Sequence, residues 1–124
     1  MYENDYIMKM IKTALQAVAS IFKGKNAIEN SIDENSDDIT IAEDQLLEIM
    51  IRKYIIEGEI NKAENMLFEA INSHKSPRNL ELALFFYEEI SKWTEDKLIS
   101  CNFSKIEILE GLNAVKKIYK RNNS

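Results

Sequence analysis

The sequence predicts an all-α fold of about five helices, and three observations predict it. Its 124 residues include only three glycines and one proline, too few turn-formers for a chain of many strands. Apolar residues recur at three- and four-residue spacing along most of its length, the period of a helix with one buried side. Capping residues stand where these periodic runs begin, and glycines stand where two of them end. No strand pattern competes.

The first helix is expected over residues 5–23, with Asn4 as its cap and Gly24 as its stop. Ile7, Met10, Ile11, Ala14, Leu15, Val18, Ile21 and Phe22 make a broad apolar stripe. Lys9, Lys12, Thr13, Gln16 and Lys23 lie off it. Residues 25–39 are rich in Asn, Ser and acidic side chains and read as a polar linker, long for a compact domain. The chain therefore divides into an N-terminal amphipathic helix (1–24), an acidic linker (25–39) and a helical domain (40–124).

The second helix is expected to start at Thr40, which stands at capping-box spacing from Glu43. It runs through Leu46, Leu47, Met50, Ile51 and Tyr54 to Glu57, and Gly58 ends it. The third covers residues 60–73, with Ala63, Leu67, Ala70 and Ile71 on one face. Ser76 caps the fourth, and Pro77 takes its first position, where a missing N–H does no harm. Leu80, Leu82, Ala83, Leu84, Phe85, Phe86, Tyr87, Ile90 and Trp93 make that helix apolar nearly all round, which places it centrally. A short helical turn follows Thr94 through Leu98. Ser104 and Glu107 then form a second capping box, with Phe103 and Ile108 at hydrophobic-staple spacing around it. The last helix carries Ile106, Ile108, Leu109, Leu112, Val115, Ile118 and Tyr119 and frays after Lys120.

Charge and composition narrow the function classes. The net charge is −5, and every charged residue from Glu29 to Glu48 is acidic. An acidic chain repels nucleic acid, so no nucleic-acid partner is expected. Lys116, Lys117, Lys120 and Arg121 near the C-terminus complement a helix dipole. Cys101 is the sole cysteine; it excludes an intrachain disulfide and fits a reducing cytosol. Lys9, Lys12 and Gln16 interrupt the apolar run ahead of Ala17-Val18-Ala19, unlike a signal peptide. No run approaches the roughly 18 apolar residues of a spanning helix. A cytoplasmic, soluble protein is expected.

Few residues suggest chemistry. Asp33, Asn35, Asp37 and Asp44 match positions 1, 3, 5 and 12 of a calcium-binding EF-hand loop. Asp38 stands where that loop needs glycine, and Asp44 is short for the twelfth position, so a solvated linker is the expectation. Cys101 and His74 fall on different elements and form no nucleophile–base pair. The adjacent carboxylates Glu88 and Glu89, or Glu95 and Asp96, point in different directions on a helix. There is no phosphate-cradling glycine loop and no nucleophile elbow. No catalytic residue, metal or cofactor is expected; the alternative is a small enzyme with an unrecognised site. Phe85, Phe86 and Tyr87 lack interleaved basic residues and read as core. Their consecutive positions span a wide arc, so at least one is expected to face a groove or a partner.

Leu47, Met50, Tyr54, Gly58, Ala63, Leu67 and Ala70 give the second and third helices the look of one tetratricopeptide unit, with Pro77 about two residues late. The resemblance covers roughly residues 44–77, and no second good copy follows. The chain as a whole resembles a family of short, uncharacterised helical proteins of Firmicute bacteria. The likeness lies in Asn4-Asp5-Tyr6-Ile7, in the segment Glu57-Gly58-Glu59-Ile60-Asn61-Lys62-Ala63-Glu64-Asn65-Met66-Leu67-Phe68, and in Phe103-Ser104-Lys105-Ile106-Glu107-Ile108-Leu109-Glu110-Gly111-Leu112. It implies an all-helical fold of tetratricopeptide-like packing and no particular activity.

The expected function is therefore non-enzymatic: binding of a protein partner, or self-association. Arg52 and Lys53 on the second helix, with Tyr87, are the candidate partner-binding residues. Ile7, Met10, Ile11, Leu15, Val18 and Phe22 are the candidate self-association stripe, through which the first helix would build a homodimer. Its other options are packing on its own chain, or lying on a membrane surface beside Lys9, Lys12 and Lys23.

Overall fold

The computed structural model describes residues 2–32 and 38–120, with the side chains of residues 5–24 and 42–120. Those residues form six helices: α1 (Tyr2–Ile32), α2 (Asp38–Glu57), α3 (Ile60–Ser73), α4 (Pro77–Ser91), α5 (Glu95–Ser100) and α6 (Lys105–Lys120). No strand occurs among them.

The helix ends follow their local chemistry. Gly58 takes φ +77°. Its N–H donates to the Ile55 carbonyl at 3.1 Å, and the Glu59 N–H donates to that of Tyr54 at 2.8 Å. This paired arrangement satisfies carbonyls that the last turn of α2 would leave open, and the left-handed residue it needs favours glycine. Asn102 does the same after α5, with φ 60° and bonds from Asn102 and Phe103 to Ile99 and Leu98. The Ser76 hydroxyl accepts from the Asn79 N–H at 3.0 Å, with Pro77 at the first position of α4. Thr94 caps α5 through the Lys97 N–H, and Ser104 accepts from the Glu107 N–H at 3.2 Å.

Two expectations near the N-terminus change. Gly24 does not stop the first helix, which runs on to Ile32 through residues assigned to the linker. Among the described residues only Gly58 and Asn102 have positive φ, so Gly24 stays helical. A glycine inside a helix costs about 1 kcal/mol against alanine, too little to end a helix that has already propagated. The second helix begins at Asp38, ahead of Thr40, so Thr40 is not its cap. Asp33, Asn35 and Asp37 of the calcium-loop pattern lie outside the described residues.

Helix α4 is the hub, as its apolar girth predicts. α1, α2, α3 and α6 all pack on it; α2 also pairs with α3, and α1 with α6. Leu80, Ala83, Phe86, Tyr87 and Ile90 of α4 are fully buried. Ile51 of α2, Leu67 of α3 and Leu112 and Val115 of α6 join them. Among the described residues α1 and α2 make no extensive contact with each other, and each packs on α4. Ile11 and Val18 of α1 are 1% and 0% exposed against α4 and α6, so the centre of the apolar stripe of α1 is covered by its own chain. Burial of each such side chain is worth about 1.5–3 kcal/mol.

Candidate interaction surface

Helix α2 carries apolar residues on more than one face. Ile51 points inward and is fully buried, with Leu47, Tyr54 and Ile55 packed beside it. Leu46, Ile49 and Ile56 lie on the opposite side of the helix and are 57%, 61% and 85% exposed. With Lys53 they fall at spacings of three, four and three residues, a single stripe along the helix. Lys53 is exposed and makes no ion pair among the described residues.

The edge of α2 that meets α4 is polar. Glu48 accepts from Arg52 Nε at 2.9 Å and from Arg78 Nη2 at 2.5 Å, and Arg78 reaches Glu81 at 3.2 Å. The Arg52 guanidinium lies 4.2 Å from the centre of the Phe85 ring, a cation–π contact. Glu48, Arg52, Arg78, Glu81, Leu82 and Phe85 line a cleft of about 170 Å³ between the two helices. Its two arginines are matched by two carboxylates, so it carries no excess charge to draw an acidic partner.

The predicted residues separate on this frame. Arg52 lines the α2–α4 cleft, and Lys53 stands one position away on the outer stripe. Tyr87 faces no partner: it is fully buried, and its hydroxyl donates to Glu64 Oε2 at 2.5 Å. Of the three consecutive aromatics it is Phe85 that reaches a groove. In the α1 set, Ile11 and Val18 are core, Ile7, Leu15 and Phe22 are half-buried, and Met10 is 38% exposed.

The Tyr87–Glu64 pair exists because of Gly111. A Cβ on Gly111 would stand 2.1 Å from the Tyr87 hydroxyl oxygen and 2.8 Å from Glu64 Oε2. The missing side chain makes room on α6 for a polar contact between α3 and α4. Burial raises the Glu64 pKa above its ordinary value; the Tyr87 hydrogen bond opposes that, and Glu107 and Glu110 add to it. Tyr87 is held strongly neutral, first by burial and then by the Glu64 charge. With Tyr87 fully buried, no substrate reaches its hydroxyl, and the pair reads as a structural tie.

Cys101 and His74 are not brought together. Cys101 lines a cleft with Gly58, Asn61 and Asn102, whereas His74 lines another with Glu43, Asp44 and Asn79. Among the described residues no group of three or more His, Cys, Asp or Glu side chains is placed to hold a metal ion, and no helix is long and apolar enough to cross a membrane.

The sequence reading missed the outer stripe and the role of Arg78. A usable signal existed for the stripe: Leu46, Ile49 and Ile56 stand opposite Ile51 on a helical wheel, so the core cannot cover them all. Nothing local pointed to Arg78, whose partner Glu48 lies thirty residues away.

The profile of a family of unknown function, DUF6483, matches residues 1–120, and the chain belongs to that family. No curated protein and no solved structure matches the chain.

Proposed function

We propose that this member of the family works by contact rather than catalysis, as a small protein-interaction module whose working surface is the outer face of α2. One observation carries this reading: Leu46, Ile49 and Ile56 form an exposed apolar stripe, interrupted by Lys53, on a helix whose other side is already buried. Soluble proteins keep such patches small unless something covers them. A cytosolic setting agrees with the lone Cys101.

The order of helix pairing supports tetratricopeptide-like packing. α2–α3 and α4–α6 make two hairpins, the first packed on α4 of the second, and α1 follows on α4 and α6 where the first helix of a third unit would stand. In stacks of this kind a terminal unit needs a polar outer face. α1 supplies a mostly polar one, with Lys9, Lys12, Gln16, Ser20 and Lys23 exposed beside Tyr6 and Met10. α2 does not, which marks its end as the place where the stack continues into a partner.

The test compares capture of partners by the full chain and by an Ile49→Glu variant, with circular dichroism to show that both are folded. Capture by the parent chain and its loss in the variant is the expected result. Equal capture by both removes α2 from the surface.

A further inference from the structure

The stripe on α2 has the pattern of one strand of a parallel two-stranded coiled coil, and we infer that what covers it is α2 of a second copy of this chain. The inference rests on the contact reading above and names its partner.

Leu46, Ile49, Lys53 and Ile56 occupy successive a, d, a and d positions of a seven-residue repeat, with Ala42 at the preceding d. Ile51 falls at f, the position farthest from such a seam, and Ile51 is the residue buried in the chain's own core. The seam and the core therefore lie on opposite sides of the helix. Two copies joined along the seam carry their bodies outward, clear of each other.

The flanking charges choose the partner and its direction. Arg52 stands at g and Glu57 at the following e. In a parallel pair a g residue stands opposite the e residue five positions on in its partner, so each Arg52, whose half-exposed guanidinium turns to Glu48 and Phe85 in the single chain, stands opposite Glu57 of the other copy, twice across the twofold axis. In an antiparallel pair g meets g and e meets e; Arg52 then faces Gln45, and Glu57 faces Met50. Lys53, exposed and without an ion pair among the described residues, is the single charged residue at an a position, a placement that selects a two-stranded pair over larger bundles at some cost in stability.

The seam is short. A helix of twenty residues is about 30 Å long, and a stable interface needs about 800 Å² from each partner. The dimer is accordingly weak, with dissociation in the micromolar range.

Sedimentation of the full chain over rising concentration, with Ile49→Glu and Ile56→Glu variants alongside, tests the pairing. Disulfide cross-linking of Ile56→Cys in a Cys101→Ser background tests its direction. The parent mass is expected to climb from 14.4 kDa toward twice that value. Both glutamate variants are expected to stay monomeric with unchanged circular dichroism, and Ile56→Cys to link to itself. A parent chain that stays monomeric overturns the inference. If it nevertheless captures a partner that the Ile49→Glu variant does not, the contact reading survives alone; without such capture both fall. A dimer that persists in both glutamate variants uses another face and overturns the inference. Cross-linking of a Leu46→Cys, Ile56→Cys double variant but not of Ile56→Cys alone means an antiparallel pair and overturns the direction.

Discussion

Helices α1 and α2 are both rich in apolar residues and both flank α4, yet they end the molecule in opposite ways. α1 turns Ile11, Ala14 and Val18 onto α4 and α6 and leaves mainly lysines and polar residues outside, with Tyr6 and Met10 exposed near its start. α2 turns Ile51 inward and still has Leu46, Ile49 and Ile56 left over. The difference lies in how apolar residues are spread around each helix. Those of α1 form one stripe, whose centre α4 and α6 together cover. Those of α2 occupy opposite sides, and no single neighbour covers both. An apolar helix is thus not in itself a contact surface; a helix with a second apolar side is.

The contrast breaks most severely at the closed end. Val18→Asp places a carboxylate in a fully buried site without a partner and is expected to lower stability by about 3–5 kcal/mol, read as a fall in the denaturant midpoint. If the midpoint barely moves, α1 does not close the core. Gly111→Ala comes next. Its added methyl would overlap the Tyr87 hydroxyl, and the buried ring has nowhere to withdraw, so a loss of about 2 kcal/mol is expected despite the better helix former.

Glu48→Ala removes the carboxylate shared by Arg52 and Arg78. These groups are partly exposed, so the loss in chemical denaturation is expected to be about 0.5–1 kcal/mol. Ile56→Glu is the mildest for folding, within about 0.5 kcal/mol, because the side chain is 85% exposed. It should nonetheless abolish association. A change in one property without the other is the sharpest expression of the contrast between the two helices.

Glu64 adds a pH dependence. Its pKa is raised on folding, so above its ordinary value of 4.5 the folded state holds a proton that the unfolded chain has released. Stability from this group is full below pH 4.5 and falls as pH rises through the folded pKa. Thermal melts of Glu64→Gln across that window should lack this part of the slope. An identical slope in the variant would assign it to other groups.

The helices were legible wherever local chemistry decides. Ser76-Pro77, Ser104 with Glu107, and Gly58 each announce a boundary through hydrogen bonds made within a few residues, and the structure places boundaries there. Gly24 looked the same in sequence but stays inside α1. A glycine permits a left-handed stop without requiring one. Tyr87 was misplaced because a phenol reads equally well as a contact residue or a core residue. Gly111 and Glu64, which settle the matter, sit on two other helices.

The order of residues alone was enough for the helical class, the central place of α4 and most helix ends, because periodicity and capping act over a few residues of chain. Which side of α2 meets solvent, whether α1 folds back on its own body, and why Gly111 interrupts α6 were decided only by tertiary packing. Those outcomes depend on side chains tens of residues apart competing for the same limited interior.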